Sequence, residues 1–364
     1  MAGTVDWRVG WKKGAVWGTA VDVGALDQLK IVSESLGEGI PKPIEDANIG
    51  DALKGQNMQG DVECEGNFVE IARFEGLERR MALFMGSDTV SVIQAGQVFT
   101  HDMRFKPSNT GKFGTLVYDK GLGNARLWEY PSVKLGSYDF DHQDGKLAFT
   151  FGCIANKVLR EATENDATSM GALTLPTAAL MVIFQQCKLQ IKEVTGAEGN
   201  MVGGDEILVT GLKGSANRNI KGDHESGSNA GFIGEPETDG LPEAQLMFTV
   251  ANYKTAIDDI LKEAQKAQTG REPKTYKAQL TWTGKTITGS APAAPYFLRL
   301  DVPACNISAA PVPGTGPGAK VPVEVTLDIV TPQIVPNGTD WAWVAIGSDP
   351  FRWFLQNKNA TSMA

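Results

Sequence analysis

Several short stretches of the chain carry residue types that chemistry uses. The histidines, His101, His142 and His224, could ligate a metal or move a proton, but they lie far apart and share no ligand spacing. TGKT at 283–286 resembles the end of a phosphate-binding loop. That loop needs an earlier glycine where the chain has Gln279, and the following segment reads as strand. DFDHQDG at 139–145 resembles a calcium loop, yet Gln143 stands where an oxygen-rich ligand belongs and no glutamate closes the site. GLGNAR at 121–126 lacks the third glycine of a dinucleotide motif. Cys64, Cys153, Cys187 and Cys305 form no CxxC pair, so buried free thiols are expected. Nothing assembles a nucleophile, a base and an oxyanion hole. No catalysis, cofactor or metal is expected.

Composition narrows the classes further. The chain has 364 residues, enough for two domains, and 42% of them are hydrophobic, enough for real cores. It carries 34 basic and 43 acidic residues, a net charge of −9. Such a chain is a poor candidate for gripping nucleic acid, whose phosphates need Lys and Arg. It would suit a surface that DNA must pass without sticking. The opening MAGTVDWRVG does not read as a signal peptide, and the longest apolar run, AALMVIF at 178–184, is too short to span a bilayer. A soluble protein made in a reducing cytoplasm is expected.

The elements that would position any site occur in two series. GNFVEIARFEGLERRMALFMG (66–86) places Phe74, Leu77, Met81 and Phe84 on one helical face, with Glu75, Glu78 and Arg79 opposite and a stop at Gly86. ANYKTAIDDILKEAQKAQTG (251–270) predicts a second amphipathic helix over 253–267, ending at Gly270. Each is preceded by a strand-like segment, 60–66 and 244–251. Each is followed by strands that close on a long alternating one. KLAFTFGCI (146–154) sets Leu147, Phe149, Phe151 and Cys153 on one face; VPVEVTLDIV (321–330) does the same with Val321, Val323, Val325, Leu327 and Ile329. Asp144-Gly145 supplies a hairpin turn. The segment 19–31 echoes 177–191. Long Gly-rich loops are expected at about 36–60 and 196–243. A mainly β fold duplicated in tandem follows, each copy with one helix among its strands.

Two aromatic arms fall outside the repeat. Trp7, Trp11 and Trp17 lie in the first; Trp341, Trp343, Phe351, Trp353 and Phe354 lie in the second. Aromatic arms must be buried somewhere, and a neighbouring subunit is the expected place.

With the repeat, the long loops and the arms together, the chain resembles the tail tube (major tail) proteins of long-tailed bacteriophages. The resemblance is carried by VWGTAVDVGALDQLKIVSESLGEGI (16–40), GDVECEGNFVEIARFEGLERRMALFMG (60–86) and VKLGSYDFDHQDGKLAFTFGCI (133–154). It is strongest over 16–155; the second half matches by architecture. It implies tandem domains that are each a β-sandwich or barrel with a flanking helix, in a structural virion protein, assembled in the bacterial host cytoplasm, whose inner sheets join between subunits into a closed β-barrel ring. Rings stack into a hollow tube for DNA. The expected division is an N-terminal arm at 1–18, tube domains at 19–155 and 177–331, a linker at 156–176 and a C-terminal arm at 332–364. With two domains per chain, three chains would fill a ring of pseudo-six-fold symmetry. The loops and the aromatic arms would make the ring-to-ring and subunit contacts. Glu324, Thr326 and Asp328, the polar positions of an alternating strand, are candidates for the lumen wall. Implied partners are further copies of the chain, the tape measure, the terminator or distal tail proteins, and DNA in transit, with no membrane. Rival readings are another tail ring component (terminator or baseplate) and a tandem β-sandwich module that binds carbohydrate.

Overall fold

Strands with one apolar edge need a second layer to cover it, and this chain finds that layer within itself. The structure, a computed structural model, describes residues 8–39, 61–119, 127–160, 164–175, 180–226, 231–251, 274–309, 322–333 and 349–362. The fold is mainly β. The first half holds β1 (Val9–Lys13), β2 (Gln28–Leu29), β3 (Ile31–Glu34), β4 (Gly37–Gly39), β5 (Glu63–Ile71), helix α1 (Glu78–Met85), β6 (Thr89–Gln94), β7 (Val98–Arg104), β8 (Gly114–Asp119), β9 (Leu127–Gln143), β10 (Lys146–Ala155) and the short α2 (Ala167–Ala172). The second holds β11 (Cys187–Glu193), β12 (Glu206–Ile207), β13 (Gly211–Asn217), β14 (Ile220–Lys221), β15 (Glu237–Thr238), β16 (Glu243–Val250), β17 (Tyr276–Thr286), β18 (Pro295–Ala309), β19 (Val323–Ile329) and β20 (Arg352–Asn357).

All the pairings are antiparallel. In the first half the lateral order is β2, β1, β8, β9, β10, β5, then β3 and β4. In the second it is β12, β11, β17, β18, β19, β16, β13. The two orders correspond strand for strand. β11 therefore holds the pairing position of β1, and 28–29 that of β12. The expected echo of 19–31 in 177–191 does not follow the pairing. β1, assigned to the N-terminal arm, is a strand of the first sheet. The hairpin between β9 and β10 turns at Asp144 and Gly145, with φ of 49° and 75°, as their sequence demands. The helix expected at 253–267 lies outside the described residues.

The halves are continuous with each other. β9 pairs along one edge with β10; along the other it pairs first with β8 and then, over Ser137–Asp141, with β13. β20 lies between β7 and β18 and so joins the halves a second time. Eighteen strands thus form one sheet, and among the described residues it does not close into a barrel. Folded over itself, the sheet encloses an aromatic core. Trp353 of β20 packs on Tyr138, Phe140, Phe149 and Trp282, and its indole N–H donates to the Tyr138 hydroxyl at 3.0 Å.

One expectation about location needs correction. The stretch 196–243 is not all loop, because β13 runs through it. The reason is size: Gly214 faces Phe140 so closely that a Cβ there would lie 2.3 Å from the ring. Small inward residues hide the strand from an apolar-pattern reading. The polar side of α1 is covered as well. Glu78 is 1% exposed and accepts from the Asn357 and Asn359 side chains; Glu75 accepts from the Tyr296 hydroxyl at 2.8 Å; Arg80 pairs with Glu70 at 2.7 Å. The second half and the C-terminal segment cover the face that the first half leaves polar. The described part of the linker packs on the first half, with Asn165 held by Glu129 and Met170 set against Val23 and Val117.

At the end of α1, Gly86 adopts φ 84° as the left-handed cap. Beside it Arg218, the residue after β13, is wholly buried. Its guanidinium donates to the carbonyls of Phe84, Met85 and Lys106 and stacks on Phe105 at 4.2 Å. Burial lowers its pKa to about 10, which leaves it charged at neutral pH. A cation there also satisfies the helix dipole.

Arg218→Ala should strand those carbonyls at a cost of about 3 kcal/mol or more in unfolding free energy, measured by urea denaturation. A loss under about 1 kcal/mol would show that the clamp is not needed. Trp353→Ala should cost about 3–5 kcal/mol through the cavity it leaves, measured the same way.

Candidate functional site: a polar sheet face shared by both halves

The strands β5, β10, β9, β13, β16 and β19 turn one face to the core and the other outward; burial alternates along β5, β13, β16 and the start of β19, along β9 from Ser137 to Asp141 and along β10 from Phe149, while Ala148 on the outward side is itself covered. Cross-strand registers define rows on the outward face. One row reads Val69, Thr150, Asp139, Ser215, Gln245, Asp328. The next reads Ile71, Ala148, Asp141, Lys213, Met247, Thr326. Each row crosses from the first half to the second at the β9·β13 pairing. At the usual strand spacing a row is about 24 Å wide. Within it the Gln245 side-chain amide donates to Asp328 at 2.9 Å.

The face is acidic. Glu63, Glu65, Asp139, Asp141, Glu243, Glu324 and Asp328 stand on it against Lys146 and Lys213, as the alternation of each strand places them. Partial burial, with the neighbouring Asp141 charge adding to it, raises the pKa of Asp139. Carboxylates arranged in this way repel polyanions and offer no cationic grip.

Glu324, Thr326 and Asp328, singled out as lumen candidates, all lie on this face, with Glu324 the most open. The aromatic candidates fare differently. Trp11, Phe351 and Trp353 are 1%, 2% and 0% exposed, so in this structure they are core residues and not an intersubunit surface. The physical reason is the pairing of β1 and β20 inside the sheet, which points these rings inward. Phe351 stacks on Phe105 at 4.9 Å. Trp17 is half-buried, edge-on to Phe113, and donates to the Ile233 carbonyl at 2.9 Å. Phe354 is half-buried, with the guanidinium of Arg299 4.8 Å over its ring. Trp7, Trp341 and Trp343 lie outside the described residues.

Residues of other chemistry are scattered. His101 is buried between the Asp88 carboxylate and the Asn359 carbonyl; burial opposes its charge, but the bond to Asp88 raises its pKa overall. His142 accepts from the Trp282 indole and rests against Phe184. The four cysteines are free thiols, three of them buried, and burial pushes Cys64 up to about 12. Among the described residues no group of His, Cys, Asp and Glu is gathered for a metal, and no helix is long and apolar enough to cross a membrane.

Sequence reasoning found the β19 part of the face but missed Asp139, Asp141, Glu63, Glu65 and Lys213. The signal was present in YDFDHQ and ECEG, where charge alternates with Tyr138, Phe140 and Cys64. For Lys213 it was weak, because the inward neighbours are glycine and alanine.

Asp139 has a raised carboxyl pKa, so the fold binds its proton more tightly than the unfolded chain does. Its ionisation therefore costs stability as pH rises through the folded pKa, and the cost is absent below the ordinary aspartate range. Asp139→Asn should raise the urea midpoint at pH 7 and leave it unchanged near pH 3. An equal gain at both pH values would remove the electrostatic explanation.

Comparison with protein-family models finds no match to this chain, and comparison with curated proteins finds none either.

Proposed function

We propose that this chain is a structural protein of a phage tail tube, that its two halves are tandem tube domains, and that copies of it close into rings which stack around a bore for DNA. The observation that carries the reading is the acid-rich outward face whose rows continue across the β9·β13 pairing from one half to the other. A conduit wall needs that continuity, and it needs a charge that keeps DNA moving. The strand-for-strand agreement of the two pairing orders supports the tandem duplication. A sheet this broad with an open end is a hazard unless a neighbour covers it, and ring closure covers it.

Three chains would supply six domain positions in a ring, true three-fold and pseudo-six-fold, with a mass of about 117 kDa from subunits of 39.0 kDa. Its partners would be other copies of itself, the tape measure, and the terminator or distal tail proteins. DNA would be in transit only, and the site of action would be the virion. The burial of Trp11, Phe351 and Trp353 removes these three from what stacking can use; Trp17, Phe354 and the loops stay candidates for the contacts between rings.

Negative-stain microscopy of the purified protein should show hollow tubes. Image averages should have strong three-fold and weaker six-fold signal. Single rings of fixed thickness would favour a terminator or baseplate component. Monomers at all concentrations would favour an isolated binding module and remove the tube.

A further inference from the structure

A short strap, residues 358–362, follows β20 and meets His101. His101 lies in the middle of β7, opposite Val90 of β6 and Leu355 of β20, neither of which carries a charge. Its side chain is 0% exposed, and so is that of Asp88, which precedes β6. The ring Nδ1 stands 3.1 Å from both carboxylate oxygens of Asp88, and Nε2 stands 3.0 Å from the backbone carbonyl of Asn359. An ionised carboxylate and a carbonyl can only accept hydrogen bonds. A neutral imidazole has one N–H and serves one of them, leaving a lone pair against the other. Only the imidazolium, with two N–H groups, satisfies both.

We propose that His101 is a proton-operated latch: charged, it clamps the C-terminal strap to the segment that opens β6, and on losing its proton it lets the strap go.

The strap is knotted at the two partners of the ring. The Asn359 side-chain amide donates to Glu78 at 2.9 Å, and its backbone N–H donates to the Asn357 side chain at 2.8 Å. The Thr361 N–H donates to the Asn359 side-chain oxygen at 3.1 Å, and the Ser362 hydroxyl donates to the Asp88 carbonyl at 3.0 Å. Each of these bonds involves Asn359 or Asp88, so a ring that repels the Asn359 carbonyl loosens all of them together.

The charged groups around the ring favour the closed state. Asp88 faces it from the turn between α1 and β6, and Glu78 from the first turn of α1; Lys13, at the end of β1, lies within reach of the Asp88 charge. Burial opposes a charge on His101, but the bond to Asp88, the two carboxylates and the Asn359 carbonyl outweigh it, so its pKa is raised above the ordinary 6.5. The latch therefore contributes fully below 6.5 and is lost as pH rises through the folded pKa. Lys358 and Asn359 also form one wall of a cleft of about 800 Å³ whose other sides include Glu75, Arg79, Lys285 and Tyr296. Release of the strap would open that cleft and take from Glu78 its Asn359 donor.

The test uses the full chain. Nitrogen-15 NMR of the imidazoles should show both His101 nitrogens protonated at pH 6, with a titration midpoint above 6.5. Trypsin can cut after Lys358, which is exposed. The rate of that cut, read as loss of 359–364 by mass spectrometry and divided by the rate in a free peptide of residues 352–364, should rise about tenfold or more as pH passes the midpoint. Asp88→Asn offers an N–H to Nδ1, so a neutral ring can keep its own N–H on the Asn359 carbonyl. In that variant the cleavage ratio should stay low and flat over the same range. A midpoint at or below 6.5, a cleavage ratio that ignores the midpoint, or an Asp88→Asn strap that still opens with pH overturns the latch. If Asp88→Asn fails to fold, the two readouts on the unsubstituted protein decide it.

Discussion

The guanidinium of Arg218 is sealed between phenyl rings and the backbone carbonyls at the end of α1. A buried cation of this kind is stable only while every partner stays in place. Its partners all belong to the first half of the chain, while its own position is set by β13 of the second. The helix end, the β9·β13 pairing and the Gly86 cap are therefore a single cooperative unit. Gly86 is part of that unit twice over: its backbone needs a positive φ, and a Cβ there would lie 2.9 Å from the Ser108 carbonyl. The two halves read as repeats in pairing order, yet they cannot be treated as independent beads.

A second set of charges binds the other seam. Arg352 of β20 lies between Asp301 of β18, at 2.6 Å, and Asp102 of β7, at 3.4 Å, with Arg299 and Arg104 completing the string. Asp301 and Arg352 are buried, so either one alone would be an unpaid charge in the interior. Such a string adds little net stability but penalises any other placement of β20. Register, rather than strength, is what these ions supply.

Much of this was legible in the sequence and some was not, for definite reasons. β10 and β19 announce themselves because each alternates large apolar residues with polar ones, and the Asp144-Gly145 turn fixes the hairpin. α1 was visible through Phe74, Leu77, Met81 and Phe84, although Gly76, at φ 101°, delays its start to Glu78. β13 was hidden because Phe140 requires glycine opposite it, and a strand of Leu212, Gly214 and Ala216 looks like a loop. The fate of the aromatic arms was hidden because periodicity says that a ring must be buried but not by which partner. Trp353 is buried by Tyr138, Phe140 and Phe149, more than two hundred positions earlier in the chain. The acidic face was half visible: each strand shows its own charges, but rows form only once registers are known.

The placement of β20 has a consequence for the order of events in synthesis. β7 and β18 are both made before the strand that lies between them, and the contact from Asp102 to Arg352 spans 250 positions. While the chain is still emerging, these two edges stay open and Tyr138, Phe140 and Phe149 lack their central tryptophan. A nascent chain therefore cannot consolidate its core piece by piece from the N-terminus; consolidation waits for the last strand. A ribosome-bound or prematurely ended chain that lacks β20 leaves the seam between the halves unsealed and the aromatic core without its central ring.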